Sequence, residues 1–251
     1  MALLVDATGE YLSRSTGGFY STATYTVCLW AILDSSRASV SAAIWGLYGP
    51  VTNDVYCPIL YNQNDDGTTM IWQQNVTGTN TIDLAAGVMT VGTWYFLAHT
   101  RSGTGTNSAN AYTAAATDTS FTTTTATFSL AAMTPILEVA YTNNFGLTTG
   151  WINGRIAGLK QWDAVLTPEE LWAERSQLAP VRVQNLVSWY PMLGAATASA
   201  ADFSGNGRNF TVTGSPTVAD GPPVPWMLRT PTFTTRVITA RLLPAMMQHA
   251  A

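Results

Sequence analysis

At 251 residues the chain is long enough to bury a substantial core within one main domain. Its composition is 47% hydrophobic, 11% aromatic and only 10% charged, which favours strands and turns over exposed helices rich in Lys and Glu. The net charge of −4 offers no basic field for nucleic acid, and no apolar run reaches the ~20 residues that span a membrane.

The opening Met1-Ala-Leu-Leu-Val-Asp6 has no basic start and no long apolar segment, so it does not read as a secretory signal. Leu3 to Arg14 reads as one entering strand. Tyr25-Thr-Val27-Cys-Leu29-Trp30-Ala-Ile32 alternates strongly and is a second. Ser41–Tyr48 and Pro58–Tyr61 follow, and Asn62–Gly67 is a hairpin loop before Thr69-Met-Ile71-Trp72. A turn at Gly78–Asn80 precedes Gly92-Thr-Trp94-Tyr-Phe96-Leu-Ala98-His99, where Trp94, Phe96 and Ala98 share one face and Tyr95, Leu97 and His99 the other. Beyond a polar loop at 102–110, Ala111–Ala116 and Thr119–Phe128 alternate weakly, and Pro135–Tyr141 is a further strand. Cys28 lies in an apolar strand and reads as a buried free thiol rather than half of a disulfide with Cys57.

The segment from Gly150 to Leu178 is the most informative. Asn153-Gly154 is a turn signal, and Ile156, Leu159 and Trp162 form a buried set whose uneven spacing predicts a bulge near Gly158. Thr167-Pro168-Glu169-Glu170 is a capping box with proline at the first helical position, opening a helix over 168–177. Leu186–Leu193 and Asn209–Thr213 are strands around a tight loop at Asp202–Gly207. Many short strands at regular spacing, with one helix, predict an all-β antiparallel sandwich or jelly roll.

Residues 221–251 form a separate unit without acids, opened by prolines and carrying Pro225, Trp226, Arg229, Arg236 and Arg241. These three arginines leave the first 220 residues with fifteen acids and eight bases, a charge of −7 against +3. The division is thus a sandwich domain over 1–220 and an extended arm over 221–251. An apolar, basic arm suits addition of a strand to a neighbouring sheet edge or filling of its groove.

Several segments together resemble the laminin-G-like branch of the concanavalin A-like lectin/glucanase fold. Val5-Asp-Ala-Thr-Gly-Glu-Tyr-Leu12 resembles its opening strand, Tyr25–Trp30 its second, and Gly92-Thr-Trp-Tyr-Phe-Leu-Ala98 its Gly-x-Trp strand. Gly154–Leu171 resembles the closing strand and helix and is the most specific match, while Trp189–Gly207 resembles a segment that often precedes such a domain. The resemblance covers about residues 3–215 in pieces and implies a concanavalin A-like jelly roll whose last strands complete the sheets from the other end. It also implies binding rather than hydrolysis, since the strand-borne carboxylate pair of a retaining glucanase is missing. Glu169, Glu170 and Glu174 are explained by helix capping.

Candidate binding residues follow. Trp45, Trp72 and Trp151 are surface aromatics for a glycan, whereas Trp30, Trp94, Trp162 and Trp189 read as core. Asp6, Glu10 and Asp163 are donors for a Ca²⁺ ion, on the expectation that the opening and closing strands bring them together; no other cofactor is expected. The chain reads as a non-enzymatic virion structural protein, assembled in the host cytoplasm as a capsid-decoration, tail or fibre component of a bacteriophage. Its partners are other virion proteins and copies of itself through residues 221–251, with a host-surface glycan as a further ligand and neither nucleic acid nor membrane. The alternative is a soluble carbohydrate-binding lectin module, and a glycoside hydrolase is third.

Overall fold

In the computed structural model the opening residues form two strands rather than one. The structure describes residues 1–7, 9–15, 24–35, 42–48, 55–62, 69–76, 79–103, 108–126, 137–143, 153–192, 194 and 196–224. Strand β1 (Ala2–Val5) is followed by a turn and then β2 (Tyr11–Ser15). The Glu10 carboxylate accepts the amides of Asp6 and Ala7, and its own amide donates to the Ala7 carbonyl, so the chain turns and passes from one sheet to the other where the sequence suggested continuity.

The strands continue as β3 (Thr24–Leu33), β4 (Ala42–Tyr48), β5 (Val55–Asn62), β6 (Thr69–Val76), β7 (Thr79–Val88) and β8 (Tyr95–Ser102). Then come β9 (Ala109–Ala115), β10 (Thr122–Thr125), β11 (Leu137–Asn143) and β12 (Gly154–Trp162). Helix α1 (Pro168–Arg175), β13 (Leu186–Tyr190), a short second helix α2 (Ala196–Ser199), β14 (Thr211–Thr213) and β15 (Thr217–Ala219) complete the order. Two antiparallel sheets result. The first runs β10-β9-β8-β3-β12-β1-β15 with β13 also on β12; the second runs β14-β2-β11-β4-β5-β6-β7. An all-β sandwich is thus the fold, and the segments after α1 finish both sheets, β13 and β15 joining the first and β14 the second.

Strand β12 organises the first sheet. One edge pairs with β3 along its length; the other is shared end to end by β1 at Gly154–Ile156 and β13 at Leu159–Trp162. The register against β3 shifts between Ala157 and Lys160, where Gly158 adopts φ +61°, a left-handed conformation that a side chain would strain. The bulge at Gly158 redistributes the faces. Ile156 and Leu159 enter the core between the sheets, while Ala157 and Trp162 enter a second cluster on the outer face. The three apolar residues read as one set are all buried, on two different faces.

The inter-sheet core joins Leu3, Val27, Leu29, Leu97, Ile156 and Leu159 of the first sheet to Leu12, Ile44, Trp45 and Leu47 of the second. On the outer side of the first sheet, Trp30, Trp94, Phe96, Ala98 and Trp162 pack with Leu166 and Leu171 under α1. The alternation along β8 follows the sequence, with Phe96 and Ala98 outward and Leu97 inward. Helix α1 starts as its cap predicts: the Thr167 hydroxyl accepts the Glu170 amide and the Glu170 carboxylate accepts the Thr167 amide. Among the described residues no helix is long and apolar enough to cross a membrane.

Candidate binding surfaces

The outer face of the first sheet is sealed. Lys160, 2% exposed, projects from β12 toward α1, where its Nζ lies 2.7 Å from Glu174 Oε2 and donates to the Glu174 and Gln177 carbonyls. The other Glu174 oxygen accepts the amides of Val181 and Arg182, which fastens the segment after the helix to the same point. Glu174 therefore has no capping role; it is the buried counter-ion of the strand below it. Arg175 lies over the rings of Trp30 and Trp172 and donates to the carbonyls of Ala115, Ala116 and Asp118, while Trp30 Nε1 donates to the Arg175 carbonyl. Burial lowers the pKa of the Arg175 guanidinium despite the nearby Asp118 charge. Cys28 is a free, buried thiol on this face, its pKa pushed up by burial.

Three further carboxylates, Asp34, Glu170 and Asp118, are likewise committed to architecture. Asp34 forms a paired ion contact with Arg155, whose guanidinium also lies over Trp94 and donates to the Asp220 carbonyl. Glu170 pairs with Arg182 beyond its capping bond, and Asp118 accepts the Ala115 amide. His99 is buried in the core beside Tyr25, its pKa pushed down to about 3 by burial and then by the Arg101 charge, so it is neutral at physiological pH.

Trp45 is corrected by the structure: it is 1% exposed and packs against Tyr25 between the sheets, so it cannot meet a glycan. Its strand lies inside the second sheet, and the register Leu12, Ala140, Trp45 aligns it with the inward face. Trp72 lies on β6, whose side chains fall outside the description, and Trp151 lies outside the described residues. The proposed calcium donors are not brought together. Val5 pairs with Gly154, so Asp6 sits at the start of β12, whereas Asp163 follows its other end, roughly 30 Å away along the strand. Glu10 is turned onto the Asp6 and Ala7 amides, and among the described residues no group of three His, Cys, Asp or Glu side chains is placed to hold a metal ion.

The arm enters the description only at residues 221–224; Pro225, Trp226, Arg229, Arg236 and Arg241 lie outside it. Gly221 passes so close to Met1 that a Cβ there would meet the Met1 carbonyl oxygen at 2.5 Å. Pro222 is buried and Val224 packs on the outer cluster, so the first residues of the arm lie against the domain's own sealed face.

A surface that residue patterning did not single out lies at the edge of β13. The loop Asp202-Phe-Ser-Gly-Asn-Gly-Arg-Asn209 caps this strand with side chains instead of another strand. Asp202 accepts the amides of Trp189, Ser204 and Arg208 and the Ser204 hydroxyl, all at 2.9–3.0 Å. Phe203 donates its amide to the Trp189 carbonyl, and Asn206 Nδ2 donates to the carbonyls of Leu186 and Val187. Burial alone would raise the Asp202 pKa, yet these donors hold it below the ordinary carboxyl range. From this rigid loop the Phe203 ring stands 57% exposed, edge-on to a half-buried Trp189 with ring centroids 5.8 Å apart. Trp189 is thus less enclosed than the core position read for it. The available signal was an aromatic residue in a turn otherwise made of Asp, Ser, Gly and Asn.

No protein-family profile and no curated protein matches the sequence. Solved structures do share the fold. A Bacteroides ovatus protein with a proposed carbohydrate-binding role aligns over 90% of this chain and 61% of its own, at 12% identity and TM-score 0.56. Tailspike protein 2 of the Escherichia coli O157:H7 bacteriophage CAB120 aligns over 68% of this chain and 24% of its own, at 14% identity and TM-score 0.50. A heptameric pentraxin from Limulus polyphemus aligns over 68% of this chain and 78% of its own, at 15% identity and TM-score 0.46. At such identities the likeness concerns architecture, and the chain spans 61% of the first of these structures and a quarter of the second. What the likeness shows is the fold, an all-β antiparallel sandwich.

Proposed function

We propose that this chain is a non-enzymatic structural protein of a virus particle, a capsid-decoration, tail or fibre component that presents its sandwich outward and is anchored by residues 221–251. The observation that carries the non-enzymatic part is the commitment of Glu10, Asp34, Asp118, Glu170, Glu174 and Asp202 to amides and cations of the fold. A retaining glycosidase instead needs two carboxyl groups about 5 Å apart flanking an open cleft. The fold likeness to a phage tailspike supports the virion setting, as does the charge contrast between a −7 domain and a +3 arm that suits docking on another acidic copy. The assembly partners are copies of this chain and other virion proteins, and the arm is the contact. Particles purified from a lysate should contain the protein in many copies, and a chain deleted after Asp220 should stay out of them.

A second reading, favoured by the likeness across 90% of the chain to the Bacteroides ovatus protein, is a soluble carbohydrate-binding module. It requires saturable glycan binding by a monomer, and a flat response on a broad glycan array rejects it. Both readings allow the presented surface to meet a host glycan.

A further inference from the structure

We infer that the exposed Phe203 ring, with Asn206 and Asn209 of the same loop, is a contact site for a neutral saccharide; this rests on the glycan-binding element of the reading above and assigns it a place. The loop meets the physical requirements for such a site. Its backbone is fixed before any ligand arrives, because Asp202 draws together donors from Trp189, Ser204 and Arg208. The ring it carries makes an edge contact with Trp189 and leaves Phe203 57% exposed. A flat apolar ring is the surface on which the C–H face of a pyranose stacks.

The polar partners are of matching kind. Asn206 uses Nδ2 on the carbonyls of β13, which leaves its Oδ1 as an acceptor with no partner among the described residues. Asn209 uses Oδ1 on the Asp202 amide, which leaves its Nδ2 as a donor with no partner among them. Both residues are exposed. An acceptor and a donor carried by the same short loop as the aromatic ring suit sugar hydroxyls, which both give and take hydrogen bonds. The one carboxylate of the loop, Asp202, is saturated with donors and turned inward, so no negative charge is offered to a cation. These groups suit the hydroxyls of a neutral saccharide and offer no carboxylate to a metal ion.

The test is an array of immobilised neutral and acidic glycans probed with the full chain, followed by titration calorimetry with the neutral glycan of highest signal. Phe203→Ala should weaken that binding about tenfold or more while its circular-dichroism spectrum stays that of the wild type, and Phe203→Tyr should restore it. Equal affinity of wild type and Phe203→Ala overturns this site and leaves glycan binding itself standing. An array on which the wild type binds nothing overturns both.

Discussion

Lys160 on β12 and Glu174 on α1 face each other at 2.7 Å with no solvent between them, a salt bridge that joins the closing strand to the helix lying across it. Each partner is fully used. The ammonium donates to two carbonyls besides the carboxylate, and the carboxylate accepts two amides besides the ammonium. Removing one charge leaves the other buried and uncompensated, which costs about 3–5 kcal/mol. Lys160→Met is expected to lower stability by that amount in urea unfolding. Adding Glu174→Gln should recover part of the loss, because the amide oxygen can still accept from the 181–182 backbone; no recovery would mean that the charge itself is not the cause.

The Asp202 loop gives an acid-dependent signature. The carboxylate is held below its ordinary pKa, so the folded state favours the ionised form. Its contribution is present above the unfolded value of about 4 and is lost as pH falls through the lower folded value. Asp202→Asn replaces a charged acceptor of four donors by a group with one acceptor oxygen. A loss of about 1.5–3 kcal/mol at pH 7 is expected, with a shallower decline below pH 4 than in the wild type, as read from unfolding midpoints across pH.

His99 titrates in a different window. Its folded pKa of about 3 lies below the ordinary 6.5, so the unfolded chain binds the proton first. Stability is therefore complete above about 6.5 and declines as pH falls toward 3. Between pH 6.5 and 5, where ordinary carboxylates stay ionised, wild type should lose stability and His99→Gln should lose less. Identical slopes for the two proteins in that interval would exclude His99 as the source.

The bulge can be tested by filling its one permissive position. Gly158 sits at φ +61°, and a Cβ in that conformation costs roughly 1–2 kcal/mol. Gly158→Ala should destabilise by that amount with the fold unchanged by circular dichroism; a neutral result would mean that the β12–β3 register shift does not depend on the left-handed residue.

These elements also mark how far residue order alone reaches. The capping box of α1, the face alternation along β8 and the bulge near Gly158 were legible because each depends on neighbours within a few residues. The division of Leu3–Arg14 into β1 and β2 was not, because it turns on a side-chain carboxylate folding back onto two amides. Trp45 was misread as surface because its strand alternates in the same way whichever face is buried, and only the register against β11 and β2 decides. Helix capping accounts for Glu174 in the sequence, but its partner Lys160 lies 14 residues away, and the neighbouring Arg175 reaches the Ala115 carbonyl 60 residues away. The three calcium donors were grouped by the strands they flank, but the antiparallel pairing of β1 and β12 sets Asp6 and Asp163 at opposite ends.

The virion assignment is tested most directly by quantitative mass spectrometry of purified virus particles across a density gradient, comparing the full chain with a version ending at Asp220. The account predicts that the full chain sediments with the particles in many copies and that the shortened chain remains at the top of the gradient. A full-length chain absent from the particle fractions would contradict it.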